Sequence, residues 1–170
     1  QAHNNRVGMS GVAFDAKVMA LRAFDVTGNA EEDDIASAMV YAALNGARVI
    51  NCSFGDEVFS SLLLDAAQFA FARGVFVVAS SGNGGGPGVH FPSDFPCVMS
   101  VGASTVSDRR ALFSSYNSQL SLVAPGQRIA TTGVDGAYTF VSGTSFSAPM
   151  VSAAAAIILE REPELSPSAL

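Results

Sequence analysis

Val75-Phe76-Val77-Val78-Ala79 is apolar at every position, so a strand built from it has no face to offer water. Both faces must be covered, which is the setting of a parallel sheet with helices on each side. Outward from this run, similar short β-rich stretches recur at 17–23, 48–52, 98–103 and 120–124, with helix-compatible stretches at 33–45 and 60–72 between them. Glu31-Glu32-Asp33-Asp34 stands at the start of the first helix, where negative charge complements the dipole, and Arg73-Gly74 closes the second. A last helix is expected, entered at Ser145 with Pro149 in its opening turns and running through 150–159, a stretch almost entirely of Ala, Ile, Val and Met that would be buried on nearly every side. The rhythm predicts a three-layer, doubly wound α/β fold: a mostly parallel sheet with helices on both faces. No internal repeat and no linker divides the chain, so residues 1–170 read as one domain.

Composition agrees. With 49% hydrophobic residues in 170, there is enough apolar surface for one well-buried core and too little chain for two. Only 14% of residues are charged and the net charge is −6, which argues against a nucleic-acid surface. The longest apolar run, 153–159, ends in Glu160 and Arg161 and is too short to span a bilayer. Cys52 and Cys97 lack metal-ligand spacing, and each is expected to pack as a small buried residue, although a disulfide between them is compatible with the sequence.

In open α/β sheets ligands collect at the carboxyl ends of the strands, and the unusual loops of this chain fall there. Asn51-Cys52-Ser53-Phe54-Gly55 ends one strand and Ser80-Ser81-Gly82-Asn83-Gly84-Gly85-Gly86-Pro87-Gly88 ends the next. The glycine-rich loop lacks the Gly-Lys-Ser/Thr ending of a phosphate-binding loop. Its Asn83, flanked by glycines, either forms a turn or presents its amide to an oxyanion. In Phe91-Pro92-Ser93-Asp94-Phe95-Pro96 the two aromatic-proline pairs are candidates for a cis bond, trans being the commoner form. Gly143-Thr144-Ser145-Phe146-Ser147-Ala148-Pro149 leads a loop into the last helix. A serine there is either an ordinary helix cap or a nucleophile beside unpaired N–H groups and the positive end of a dipole. Gly143 permits a close backbone approach and Pro149 removes a backbone donor.

Together these motifs resemble the subtilisin-like serine proteases. Gly143-Thr144-Ser145-Phe146-Ser147-Ala148-Pro149 looks like their nucleophile motif, and Ser81-Gly82-Asn83-Gly84 is similar to their oxyanion asparagine. Val49-Ile50-Asn51-Cys52-Ser53-Phe54-Gly55 resembles the cleft strand, Phe91-Pro92-Ser93 the turn beside the primary specificity pocket, and Val123-Ala124-Pro125-Gly126 the loop before the serine. The resemblance covers essentially all 170 residues and implies a serine endopeptidase acting on peptide or protein substrates through an acyl-enzyme on Ser145. Asn83 and the Ser145 backbone N–H would hold the oxyanion, roles carried over by position from subtilisin itself. Ser53, Phe54 and Gly55 on one side and Ser80, Ser81 and Gly82 on the other would flank an extended peptide. His90 would stand at the base of the primary pocket, where the family often has glycine, which implies a poor fit for a large aromatic side chain. Phe146 replaces a methionine often found after the nucleophile, removing an oxidisable sulfur.

The family order is Asp, His, Ser, and the Asp and His motifs fall upstream of the segment matched by Gln1. Residues 1–170 are therefore expected to be a partial peptidase domain, without acid or base and with the first strands of its sheet missing, and to be inactive alone. His3 is no substitute base, because Ala2-His3-Asn4-Asn5-Arg6-Val7-Gly8-Met9 matches the calcium loop of the family. Asn5, with the carbonyls of His3, Val7 and Met9, would offer calcium a weak structural site. No cofactor is implied for catalysis. The missing strands would leave a sheet edge open to self-association, which a clean monomer at high concentration in equilibrium sedimentation would count against. Glu31 to Asp34 fall near the outer substrate subsites, so they favour basic residues upstream of the cleaved bond or merely complement their own helix. Secretion is the family expectation. A second reading is a pseudoprotease or peptide-binding module that holds chains without cutting them.

Overall fold

Four parallel strands, β1 (Val49–Cys52), β2 (Phe76–Ser80), β3 (Val98–Ser104) and β4 (Leu120–Pro125), lie side by side in chain order in the computed structural model, which describes residues 8–133 and 136–170. β2 is buried along its whole length. Its alternate residues serve two separate cores, as the strand period of two requires. Val77 and Ala79 join Ile35, Met39, Leu63 and Ala67 from α1 (Glu32–Leu44) and α2 (Ser61–Ala72). Phe76 and Val78 face the other way, onto Ala148 and Ala155 of α3 (Thr144–Arg161). The three-layer α/β arrangement with helices on both faces is thus present, and it exists because the central strand is apolar on both sides.

Register brings the strand ends level. Cys52 pairs with Ala79 and Ser80 with Val101, so the loops after β1 and β2 open at the same end of the sheet. α2 starts where Ser60 accepts from the Leu63 N–H at 3.2 Å, and the same hydroxyl donates to Glu32 Oε2 at 2.6 Å. That bond ties the acidic start of α1 to the cap of α2. Glu32 therefore has a structural partner within the fold.

One sequence expectation is corrected. Residues 17–23 form no strand: they run without a ladder, and a cavity of about 1270 Å³ is lined by both their Val18, Met19 and Leu21 and by Val49 and Ile50 of β1. A run with strand composition becomes a strand only when a neighbour takes its backbone hydrogen bonds, and β1, at the sheet edge, lies beyond reach. A two-stranded antiparallel sheet, β5 (Ile129–Thr132) with β6 (Tyr138–Val141), was not foreseen, because each strand is four residues long and mostly exposed. α3 begins at Thr144, so that Ser145 stands at its entry and Pro149 in its opening turns, as expected, and the tail makes a turn, with Ala169 N–H on the Ser166 carbonyl at 2.9 Å. The Phe91-Pro92 bond is cis. Cys52 and Cys97 are free thiols, and burial pushes Cys52 up to about 12. Among the described residues no helix is long and apolar enough to cross a membrane.

Candidate active site

Ser145 is the second residue of α3, and its surroundings follow from a proline. In an α-helix the N–H of residue 149 would bond the carbonyl of residue 145, and Pro149 has no N–H. The freed Ser145 carbonyl instead accepts from the Ser53 hydroxyl, at 2.8 Å, across from the loop after β1. The Ser145 hydroxyl returns the contact, donating to the Ser53 carbonyl at 3.2 Å. Asn51 Nδ2 donates to Ser53 Oγ at 2.9 Å, and Ser152 Oγ, one helical turn beyond the proline, donates to Asn51 Oδ1 at 3.0 Å. The strand end and the first turns of α3 are stitched together by this chain of small polar groups.

The other strand end supplies Asn83. Gly143 stands at the N-cap of α3 and has no side chain to cap with, so the cap comes from elsewhere in the fold. Asn83 Oδ1 accepts from the Thr144 N–H at 2.8 Å and from Thr144 Oγ1 at 3.0 Å, and Thr144 is fully buried. With its oxygen committed to the helix, the amide turns its NH₂ the other way, toward Gly143, where a Cβ would lie 3.6 Å from Nδ2. The Ser145 backbone N–H, in the first turn, has no intrahelical acceptor. Asn83 Nδ2 and the Ser145 N–H are therefore two donors at the start of α3, in the positive field of a helix start.

The glycine-rich loop is held along its side by residues 113–117. Ser115 N–H donates to the Gly82 carbonyl at 3.0 Å, Ser115 Oγ accepts from the Gly84 N–H at 3.0 Å, and the Ser115 carbonyl accepts from Ser81 Oγ at 3.2 Å. Ser80 and Ser81 are buried, and the Ser81 N–H is taken by the Val101 carbonyl at 3.0 Å, so both shape the wall from within. Phe54 packs partly into the core with its ring 5.1 Å from that of Phe24. Sequence reasoning missed Thr144 and Ser115 as supports of Asn83. Thr144 was legible as the neighbour of the nucleophile, whereas nothing local distinguishes Ser115 from other serines.

His90 lies between the two strand-end segments, not at the nucleophile: Gly55 and Gly82 are its close neighbours. No histidine nitrogen among the described residues is bonded to Ser145 Oγ, whose partner is the Ser53 carbonyl. Burial pulls the His90 imidazole below its ordinary 6.5, opposed by the Ser80 carbonyl and by Asp94, Asp56 and Glu57. The sign follows: above 6.5 both folded and unfolded chains carry a neutral ring, and as pH falls through that value the unfolded chain takes up the proton first. Stability is lost over that interval, down to the folded-state value. Between about pH 8 and about pH 5 the melting temperature of the wild type should fall further than that of His90→Gln, which has no proton to take up. Parallel curves would refute the assignment.

Of the residues expected to hold calcium, His3, Asn5 and Val7 lie outside the described residues, and only Met9, partly buried, is within them. Among the described residues no cluster of His, Cys, Asp or Glu suits a metal.

Comparison with known proteins gives one consistent picture. A model described as the subtilase family matches residues 1–170. The "Thermophilic serine proteinase" of Bacillus sp. (strain AK1) is 39% identical over 155 residues, covering 91% of this chain and 39% of the relative. "Subtilisin Savinase" of Lederbergia lenta is 36% identical over 165 residues, 97% of this chain and 61% of its own length. Among solved structures, "Sphericase" superposes with a TM-score of 0.89 at 30% identity, covering 98% of this chain and 61% of that one. A cold adapted subtilisin-like serine proteinase follows at 0.87 and 32%, with 93% and 59% covered. The chain thus spans between two-fifths and three-fifths of the length of these relatives.

Proposed function

This chain belongs to the subtilase family, and from that premise we propose that the protein carrying it is a serine endopeptidase in which Ser145 is the nucleophile. Ser145 Oγ attacks the carbonyl carbon of a peptide bond, and its proton passes to a base supplied by chain outside residues 1–170. The carbonyl oxygen becomes an oxyanion and receives hydrogen bonds from Asn83 Nδ2 and the Ser145 backbone N–H. The intermediate collapses, the C–N bond breaks, and the amine leaves with a proton returned by the base. Water then releases the acyl group from Ser145 by the same steps.

The observation that carries this reading is the orientation of Asn83: its oxygen is occupied twice by Thr144, which leaves its NH₂ to serve the site beside Ser145. A helix cap needs one acceptor atom, and an oxyanion needs the donor that stands behind it. The second reading, a module that binds peptides without cutting them, draws on the resting place of the Ser145 hydroxyl, which donates to the Ser53 carbonyl and, among the described residues, to no imidazole.

A fluorophosphonate probe separates the two. Full-length protein is expected to be labelled at Ser145, and residues 1–170 alone are expected to stay unlabelled, because an unassisted serine hydroxyl is a poor nucleophile at neutral pH. Full-length protein that binds peptides but takes up no label would establish the binding module instead. Membership of the subtilase family supports secretion, checked by recovery of the protein in the culture medium.

A further inference from the structure

The backbone that carries Asn83 is permissive on both sides: Gly82 precedes it, with φ at +96°, and Gly84, Gly85 and Gly86 follow. Glycines give a loop little direction of its own, so the aim of the Asn83 amide must be set from outside. At the tip of the side chain Thr144 holds Oδ1 through two bonds. An amide gripped by its oxygen alone can still pivot, and its NH₂ then sweeps an arc. At the root the fixing falls to a single residue. Ser115 N–H donates at 3.0 Å to the Gly82 carbonyl, which belongs to the peptide group before Asn83. The Gly84 N–H, which belongs to the peptide group after Asn83, donates to Ser115 Oγ at 3.0 Å. One serine therefore pins both peptide planes that flank Asn83, and with them the φ and ψ that lie between.

Ser115 is itself held on several sides. Its carbonyl accepts from Ser81 Oγ at 3.2 Å, and its neighbours pair with the same loop further on: Gly85 N–H donates to the Phe113 carbonyl at 2.7 Å and Tyr116 N–H to the Gly86 carbonyl at 3.3 Å. The Arg110 guanidinium lies 4.4 Å over the Tyr116 ring and donates to the Ser114 carbonyl. Of the two bonds that bracket Asn83, only the one to Gly84 depends on the side chain of Ser115. We propose that Ser115 is a positioning residue for catalysis, whose hydroxyl oxygen holds the Gly84 N–H and so keeps the Asn83 amide aimed at the place where the oxyanion forms. The inference rests on the endopeptidase reading. Ser115 acts through Asn83 alone, so its loss is bounded by the hundredfold to thousandfold that removal of the donor itself costs, as an order of magnitude. A misplacement of about 1 Å costs about a hundredfold, and loosening one of two pins displaces the amide by less, so a loss of about tenfold is expected. The loss belongs to the transition state, where the charged oxygen appears, and falls on kcat.

A double-mutant cycle in the full-length protein, read on one peptide substrate, tests this. Ser115→Ala should lower kcat about tenfold and leave KM within about twofold, whereas in the Asn83→Ala background the same change should lower kcat by less than about twofold. A brace that serves only the general order of the loop costs the same factor in both backgrounds or raises KM instead, and either result overturns the inference. Wild-type kcat in Ser115→Ala, a loss larger than that of Asn83→Ala, or no loss in Asn83→Ala itself also overturns it. Should Ser115→Ala fail to fold, Ser115→Cys keeps the size of the side chain with a much weaker acceptor and must show a kcat loss that likewise vanishes without Asn83. Each of these failures leaves the endopeptidase reading standing. Wild type that cleaves no peptide or protein and takes up no fluorophosphonate overturns both.

Discussion

Asn83→Ala in the full-length protein should lower kcat by about a hundredfold to a thousandfold and also destabilise the fold by about 1 kcal/mol. The first magnitude is carried over from the oxyanion asparagine of subtilisin; the second comes from the geometry. The alanine removes a donor that acts only when the carbonyl oxygen becomes charged, so the loss falls on kcat with little change in KM. It also strips the Thr144 N–H of the acceptor that caps α3 at 2.8 Å. Asn83→Asp separates the two effects. Its carboxylate keeps an acceptor at the helix start, where negative charge is favoured, but offers the oxyanion a repelling charge in place of a donor. Thermal melts of the aspartate variant should match wild type within a few degrees while turnover falls at least as far as in the alanine variant. If both variants kept wild-type turnover, Asn83 would be a cap and nothing more.

Ser145→Ala should abolish fluorophosphonate labelling and reduce kcat by about a millionfold, the loss known for the nucleophile of subtilisin. The fold should survive. What the variant loses structurally is one part-buried hydrogen bond to the Ser53 carbonyl at 3.2 Å, worth about 1 kcal/mol, while the bond from Ser53 Oγ to the Ser145 carbonyl remains because alanine has the same backbone. Measured together, a melting temperature lowered by no more than about 4 °C and absent turnover would place the chemistry on that hydroxyl. Residual peptide cleavage above about one part in a thousand would move the nucleophile elsewhere.

The sheet was legible because burial on both faces leaves its mark in every residue of a strand: Val77 and Val78 face opposite cores, and neither tolerates a polar side chain. The site was legible for a different reason. Ser145, Asn83 and the stretch around Ser53 sit in motifs whose order resembles a known family, although their mutual hydrogen bonds cannot be read from one dimension. What escaped depended on neighbours. The 17–23 stretch has the composition of a strand and lacks a partner within reach. Ser115 braces three groups of the glycine-rich loop through two backbone atoms and one hydroxyl, interactions that any small polar residue in a loop looks equally able to make. β5 and β6 find stability in each other across a short antiparallel pair, with little burial to leave a pattern in the sequence.

Pro149 makes the nucleophile segment non-transferable. A helix start that satisfied all its own carbonyls could be moved between proteins as a cassette, but here the Ser145 carbonyl depends on a hydroxyl 92 positions earlier in the chain. Grafting residues 143–149 into another scaffold would carry along an acceptor without a donor, a defect of about 1–3 kcal/mol at the atom next to the one that must be placed most accurately. Ser53 and Pro149 therefore form a compatibility pair: an engineer or a recombination event that exchanges one side of the cleft must exchange the other with it.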